Sequence, residues 1–298
     1  MITIDGREVV VDHFPDGTQC LTNFNFSPDF NGILNIYWKY SCEEELITLM
    51  YIMNHIRDGY LNRFITVNLY MPYVPNARMD RTKKNTEIFT LKYFCKFINS
   101  LEFDNIFVLD VHSDVAVALI NKCKILNIND IIKKVIEKEN KIAEKDNKEL
   151  MIYFPDAGAY KRYRDLDCIK KFKKIYGNKV RDWSTGKILG LDIVDENNKS
   201  LKDLAVMPLA LNNVLMIDDI ISYGGTMYYS AIQLNEFKAN RITTYATHVE
   251  TESLWNEEKG TFKKCLDDNT VSMLYTTNSI YKNKSNDKVT VLNIDKTK

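Results

Sequence analysis

No run of roughly 18 consecutive apolar residues, the length a membrane span requires, occurs anywhere in this 298-residue sequence. A membrane is therefore not an expected partner. Surplus charge is missing too: forty Lys and Arg balance forty Asp and Glu. Without a global basic field there is nothing to draw nucleic acid, and any anion site must be built from local geometry. The opening segment MITIDGREVVVDHF carries acids and lacks the apolar stretch of a secretory signal, so a cytoplasmic location is expected. Cysteine is sparse. The six residues Cys20, Cys42, Cys95, Cys123, Cys168 and Cys265 form no C-x-x-C pair and have no histidine at zinc spacing. They read as reduced packing residues. Short-period repeats and low-complexity linkers are absent as well. What remains is a profile with 45% hydrophobic and 27% charged residues, that of an ordinary globular protein, long enough for one large or two medium domains.

Strand-like and helix-like segments alternate along the chain. GILNIYW (32–38), FITVNLYMPY (64–73), NIFVLDVH (105–112), LMIYF (150–154), NVLMIDDII (213–221) and RITTYATHV (241–249) are β-rich or continuously apolar runs. EEELITLMYIMNHIRD (43–58) has apolar residues at helical spacing, as does TEIFTLKYFCKFINSL (86–101), with Thr86 as its cap. DIIKKVIEKENKIAEKDNKE (130–149) reads as a solvated surface helix, and TMYYSAIQLNEFKAN (226–240) as a further helix. Such alternation indicates βαβ units and mainly parallel sheets. The charged stretch around 121–149 is the best boundary between two α/β halves, drawn at 1–126 and 127–286. In such sheets ligands bind beyond the carboxyl ends of the strands, so residues just past a strand are the ones to inspect.

VLMIDDIISYGGTMYYSA (214–231) meets that description. An apolar strand delivers Asp218 and Asp219, a turn through Gly224 and Gly225 follows, and a helix opens at Thr226. Glycines there let successive N–H groups point at one anion with a helix N-terminus behind them. The hydroxyls of Ser222 and Thr226 can add hydrogen bonds. Paired acids suit the two hydroxyls of a ribose, or a magnesium ion shared by ribose and phosphates.

This segment resembles the phosphoribosyl-diphosphate loop shared by phosphoribosyltransferases and ribose-phosphate pyrophosphokinases. Five further segments resemble the pyrophosphokinase family in particular, in order and rough spacing over about residues 13–250: HFPDGT (13–18), PYVPNARMDR (72–81), VLDVHSD (108–114), FPDAGAYKR (154–162) and YATHV (245–249). The resemblance implies two tandem phosphoribosyltransferase-like halves with the active site in the cleft separating them. The tail 287–298 is expected to return to the first half. It also implies an ATP-dependent diphosphokinase acting on the anomeric hydroxyl of ribose 5-phosphate, with ADP-ribose as an alternative acceptor and magnesium as cofactor. Phe14, Asp16, Arg78, Asp80 and Arg81 would bind ATP. Asp218, Asp219, Ser222, Tyr223, Gly224, Gly225 and Thr226 would bind the ribose phosphate. His112 and Asp156 would serve the metal, with Asp110 as an alternative supporting residue. His112 would also share the catalytic work with Lys179 and Arg181 of GNKVRDWSTGK (177–187), where Lys187 is the other candidate lysine. Because the family completes its ATP site with a neighbouring subunit's FPDG loop, a homodimer or larger homo-oligomer is expected.

The sequence departs from the family pattern at several places. Thr18 stands where a Glu is usual, Met79 where a Gln is, and Ser222-Tyr223 where the kinase branch has Asp-Thr. ETESLWNEEKGTFKK (250–264) replaces a loop of small residues. The rival classes are a phosphoribosyltransferase, which would consume the diphosphate, and a non-catalytic regulatory relative.

Overall fold

The computed structural model describes residues 1–22, 24–29, 31–59, 65–181, 188–203 and 212–294, and of 179–181 and 188–191 the backbone alone. The chain divides into two compact units, Met1–Asn127 and Ile128–Lys298. Each is an α/β unit built on its own mainly parallel sheet.

The first unit opens with four short strands, β1 (Ile2–Ile4), β2 (Arg7–Glu8), β3 (Asp12–His13) and β4 (Gln19–Cys20). They are followed by β5 (Ile33–Trp38), α1 (Glu44–Gly59), β6 (Thr66–Tyr70), α2 (Thr90–Ser100), β7 (Asn105–Leu109), α3 (Asp114–Leu119) and β8 (Cys123–Leu126). The sheet order is β2-β1-β5-β6-β7-β8, parallel from β5 to β8, while β3 and β4 form a separate antiparallel ribbon. Alternation along β5 sends Leu34, Ile36 and Trp38 into one core. The i, i+4 stripes of α1 (Leu49, Met53 and Ile52, Ile56) and α2 (Leu91, Cys95 and Phe94, Ile98) fill the same core. The sequence places a helix at 86–101 capped by Thr86, but α2 begins only at Thr90. Glu87 is instead drawn into a turn, accepting from the Lys83 N–H at 2.6 Å.

The second unit runs α4 (Asn129–Lys145), β9 (Leu150–Phe154), α5 (Ala157–Tyr163), β10 (Lys173–Arg181), β11 (Ile188–Asp195), β12 (Asn213–Ile221), α6 (Gly225–Glu236), β13 (Arg241–Val249), α7 (Thr251–Leu254), α8 (Thr261–Asp267), β14 (Met273–Thr277) and β15 (Val289–Leu292). Its sheet order is β11-β10-β9-β12-β13-β14-β15, and only the β10–β11 pair is antiparallel. All five residues of β9 are buried, as a strand with both faces covered must be. The charged surface helix is amphipathic: α4 buries Ile131, Ile132, Val135, Ile136 and Ala143 along one stripe. Glu139 lies in that stripe at 1% exposure, held by Arg241 Nε at 3.1 Å and by the Tyr275 hydroxyl. From the segment 287–298, Val289–Leu292 pairs in parallel with β14 and forms the edge of this second sheet.

Candidate functional site

β12 is apolar and buried as far as Ile217, and then presents Asp218 and Asp219 near its carboxyl end. Asp219 is 5% exposed, and its Oδ2 lies 3.4 Å from Arg162 Nη1. The Asp219 N–H donates to Asp218 Oδ1 at 2.9 Å. Burial first of all, and then the neighbouring Asp219 and Asp156 charges, push the Asp218 carboxyl well above the usual carboxylate range. Three acids thus lie close enough to feel one another where β9 and β12, adjacent parallel strands, end. Arg162 was not singled out from the sequence, although it closes FPDAGAYKR.

Asp156 caps α5. Its Oδ1 accepts from the Gly158 and Ala159 N–H groups at 2.9 and 3.0 Å. A Cβ on Gly158 would come within 3.1 Å of that oxygen, so the glycine permits the tight approach.

The turn from β12 to α6 is held from outside. Gly224 has φ +79°, and a Cβ there would lie 2.3 Å from Phe262 Cβ, which leaves glycine as the residue that fits. The Tyr223 carbonyl accepts from the Thr261 N–H at 2.9 Å, the Thr261 hydroxyl at 3.0 Å and the Phe262 N–H at 3.2 Å. The Ser222 hydroxyl donates to Glu250 Oε2 at 2.5 Å. Gly225 and Thr226 open α6, whose first N–H groups have no intrahelical acceptor. The Tyr223 ring is 41% exposed.

In the first unit, the loop after β6 and the loop after β7 are joined by Asp80. It accepts from the Ser113 hydroxyl at 3.0 Å and lies 3.4 Å from Arg81 Nε. Ser113 in turn caps α3, accepting from the Val115 N–H at 3.2 Å. Arg78 and Arg81 are exposed on the same loop, and His112 follows β7 in a half-buried position. Asp110 is buried and takes a left-handed backbone, φ +44°, at the point where the strand turns.

Phe14, 53% exposed, projects from the β3–β4 ribbon. Below it, Asp16 accepts from the Thr18 N–H at 3.0 Å and the Thr18 hydroxyl at 2.7 Å. Those bonds from Thr18, the hydroxyl first, hold the Asp16 carboxyl below its usual range. The residue replacing the family's Glu thus shapes the loop.

Lys179 and Arg181 belong to β10, paired with β11 at Leu191 and Ile188. Their side chains, and all of Lys187, lie outside the described residues. Among the described residues no three His, Cys, Asp or Glu side chains gather as a metal cage. A magnesium ion carried on a nucleotide needs only one or two protein carboxylates, with phosphates and water completing its shell. The hard oxygens of Asp156, Asp218 and Asp219 fit that demand. No helix among the described residues is long and apolar enough to cross a membrane.

Parallel α/β units with a strand–Asp-Asp–Gly-Gly–helix turn define a phosphoribosyltransferase-like architecture, and comparison with known proteins narrows it. No family model matches the chain. The ribose-phosphate pyrophosphokinase of Sulfurisphaera tokodaii is 25% identical over 252 residues, covering 85% of this chain and 77% of that protein. That of Pyrococcus abyssi is 27% identical over 243 residues, covering 80% and 75%. That of Mycoplasma genitalium is 24% identical over 289 residues, covering 94% and 77%. The crystal structure of phosphoribosylpyrophosphate synthetase from Mycobacterium smegmatis superimposes with a TM-score of 0.69 at 16% identity, covering 96% of this chain and 86% of that one. The fold is shared. The chain is a relative of the ribose-phosphate pyrophosphokinases.

Proposed function

We propose that the protein is a ribose-phosphate diphosphokinase. It transfers the β,γ-diphosphoryl group of ATP to the anomeric 1-hydroxyl of ribose 5-phosphate, giving phosphoribosyl diphosphate and AMP. The observation that carries this reading is the turn from β12 to α6. Two acids stand at the end of a buried strand, beside a backbone cradle that only a glycine can form. A transferase that consumes the diphosphate would use the same cradle. The exposed arginines beside Asp80, and the phenylalanine on the β3–β4 ribbon, support a nucleotide-binding first unit and hence the kinase.

In this reading the sugar 1-oxygen attacks the β-phosphorus of ATP, the bond from that phosphorus to the α,β-bridging oxygen breaks, and AMP leaves. The hydroxyl proton passes to solvent. Such transfers need charge neutralisation and in-line positioning more than covalent participation by the protein. Arg78 and Arg81 hold triphosphate oxygens, with Asp80 fixing the loop that carries them. Phe14 stacks on the base, and Asp16 shapes the ribbon beneath it. The Gly224–Gly225 backbone and Thr226 receive the 5-phosphate, while Asp218 and Asp219 address the ribose hydroxyls. Lys179 and Arg181 stabilise charge developing on the transferring group. A magnesium ion carried on the nucleotide would supply further charge neutralisation, and Asp156 of the second unit and His112 of the first are the residues that would hold it. The expected assembly is a homodimer or larger homo-oligomer, and the expected compartment the cytoplasm.

Incubation with ATP, magnesium and ribose 5-phosphate should release AMP and no ADP. Release of ADP, or no turnover with any sugar phosphate, would overturn the reading. The exposed Tyr223 ring supports one alternative acceptor, ADP-ribose, whose adenine could stack on it. The same assay with ADP-ribose, in wild type and Tyr223→Thr, separates the two.

A further inference from the structure

We infer that Glu250 is a positioning residue for the phosphate loop, a role that rests on the reading of residues 222–226 as the ribose-phosphate cradle. Glu250 lies one residue beyond β13. Its Oε2 accepts from the Ser222 hydroxyl at 2.5 Å and from the Ser253 hydroxyl at 2.9 Å, and its N–H donates to the Ile221 carbonyl at 2.9 Å. One residue therefore grips both the last position of β12 and the first of the loop. One residue past Ser222, the Tyr223 carbonyl is held by Thr261 and Phe262, and Phe262 packs against Gly224. The segment 250–262, which departs from the family pattern, is thus the outer wall of the cradle.

The chemistry follows from counting protons. A serine hydroxyl has one to donate, and here it goes to a carboxylate, the stronger kind of acceptor. Ser222 then faces any bound phosphate with lone pairs only, so it serves the loop and not the anion. The phosphate's donors are left to the backbone N–H groups opening α6 and to Thr226. Those groups bind well only if the left-handed turn at Gly224 is already formed, and the Glu250 bonds form it before the ligand arrives. The hydroxyl also screens the carboxylate from the phosphate: with its bonds to Ser222 and Ser253 made, Oε2 is turned into the wall.

Four variants test this: Glu250→Ala, Glu250→Gln, Ser222→Asp and the exchange Ser222→Asp/Glu250→Ser. In Glu250→Ala the calorimetric Kd for ribose 5-phosphate should rise about tenfold or more, the loss expected of a charged hydrogen bond. ATP affinity and kcat at saturating sugar should stay within about threefold, a split between KM and kcat that general damage would not give. Glu250→Gln keeps an accepting oxygen without the charge and should lose less affinity than Glu250→Ala. Ser222→Asp sets two carboxylates against each other and should weaken binding as much as Glu250→Ala, and the exchange should restore it. Wild-type sugar binding in Glu250→Ala, equal losses toward ATP and sugar, or an exchange variant no better than Ser222→Asp would each overturn the role. Failure of wild type itself to bind ribose 5-phosphate would count against the proposed function alone. Amide hydrogen exchange at 223–226 in the ligand-free protein then decides for Glu250: faster exchange in Glu250→Ala, reversed in the exchange variant, is expected, and unchanged exchange sinks it.

Discussion

Arg162 Nη1 stands 3.4 Å from Asp219 Oδ2, so the last residue of one sequence motif neutralises the second acid of another, 57 positions further on. Asp219 is nearly buried and Arg162 is 29% exposed in its side chain. Removing the guanidinium takes a cation from beside two adjacent acids. Arg162→Ala should destabilise the second unit by roughly 1–3 kcal/mol, below the cost for a wholly buried pair because water reaches the arginine. Adding Asp219→Asn should recover most of the loss. Urea unfolding of the two variants checks it, and a double variant no more stable than Arg162→Ala would show that the pair is incidental.

Asp218 carries a pH signature. Its carboxyl titrates above the usual range because of burial and the Asp219 and Asp156 charges. A folded-state pKa raised above the unfolded value favours folding at acid pH, and that advantage is lost as pH rises through the folded pKa. Asp218→Asn, which cannot ionise, should therefore melt above wild type at pH 8 and draw level with it near pH 4, in the absence of ligand. Thermal melts across that range read the difference, and a gap that widened toward acid would contradict it.

The two glycines of the loop should behave differently. Gly224→Ala forces a left-handed residue to carry a Cβ 2.3 Å from Phe262 Cβ. A cost of about 2–4 kcal/mol is expected from strain and overpacking together. At Gly225 the nearest atom is Thr261 Oγ1 at 3.9 Å, so Gly225→Ala should leave the melting temperature within a degree or two of wild type. Differential scanning calorimetry of the pair suffices.

Lys179 and Arg181 lie two positions apart on β10, with a register shift between Val180 and Arg181. Replacing either with Ala should lower kcat about 10²–10³-fold with little change in ATP affinity, since a group acting on transition-state charge is not needed for ground-state binding. Single-turnover AMP release beside equilibrium ATP binding separates these quantities. A wild-type rate in both variants would move the catalytic cations elsewhere.

The turn from β12 to α6 was legible because its signal is local: a continuous apolar run, two acids and two glycines occupy twelve consecutive positions. β9 and β13 were legible for the same reason. The segment KKIYGNKVR was not read as a strand, because it has the polarity of a surface loop and is fixed as β10 by pairing with β9 and β11. α4 was legible as a surface helix, but its charges outnumber its apolar residues, and the buried stripe shows only when positions 131, 132, 135, 136, 139 and 143 are placed on one face. The contacts that shape the site, Arg162 with Asp219 and Glu250 with Ser222, join residues tens of positions apart, and nothing in either segment alone announces the other.

The burial of Glu139 has a consequence for the order in which the chain can be assembled. Its carboxylate is satisfied by Arg241, 102 positions later, and by Tyr275, 136 positions later. Until both have been synthesised, docking α4 against β9 would sequester an ion whose counter-charge and hydrogen-bond donor are incomplete, at a cost of up to several kcal/mol. At about 5–20 residues per second, a ribosome takes roughly 7–27 s to travel from Glu139 to Tyr275. For that interval the apolar stripe of α4 stays undocked on the nascent chain, a binding site for chaperones that disappears when β13 and β14 join the sheet.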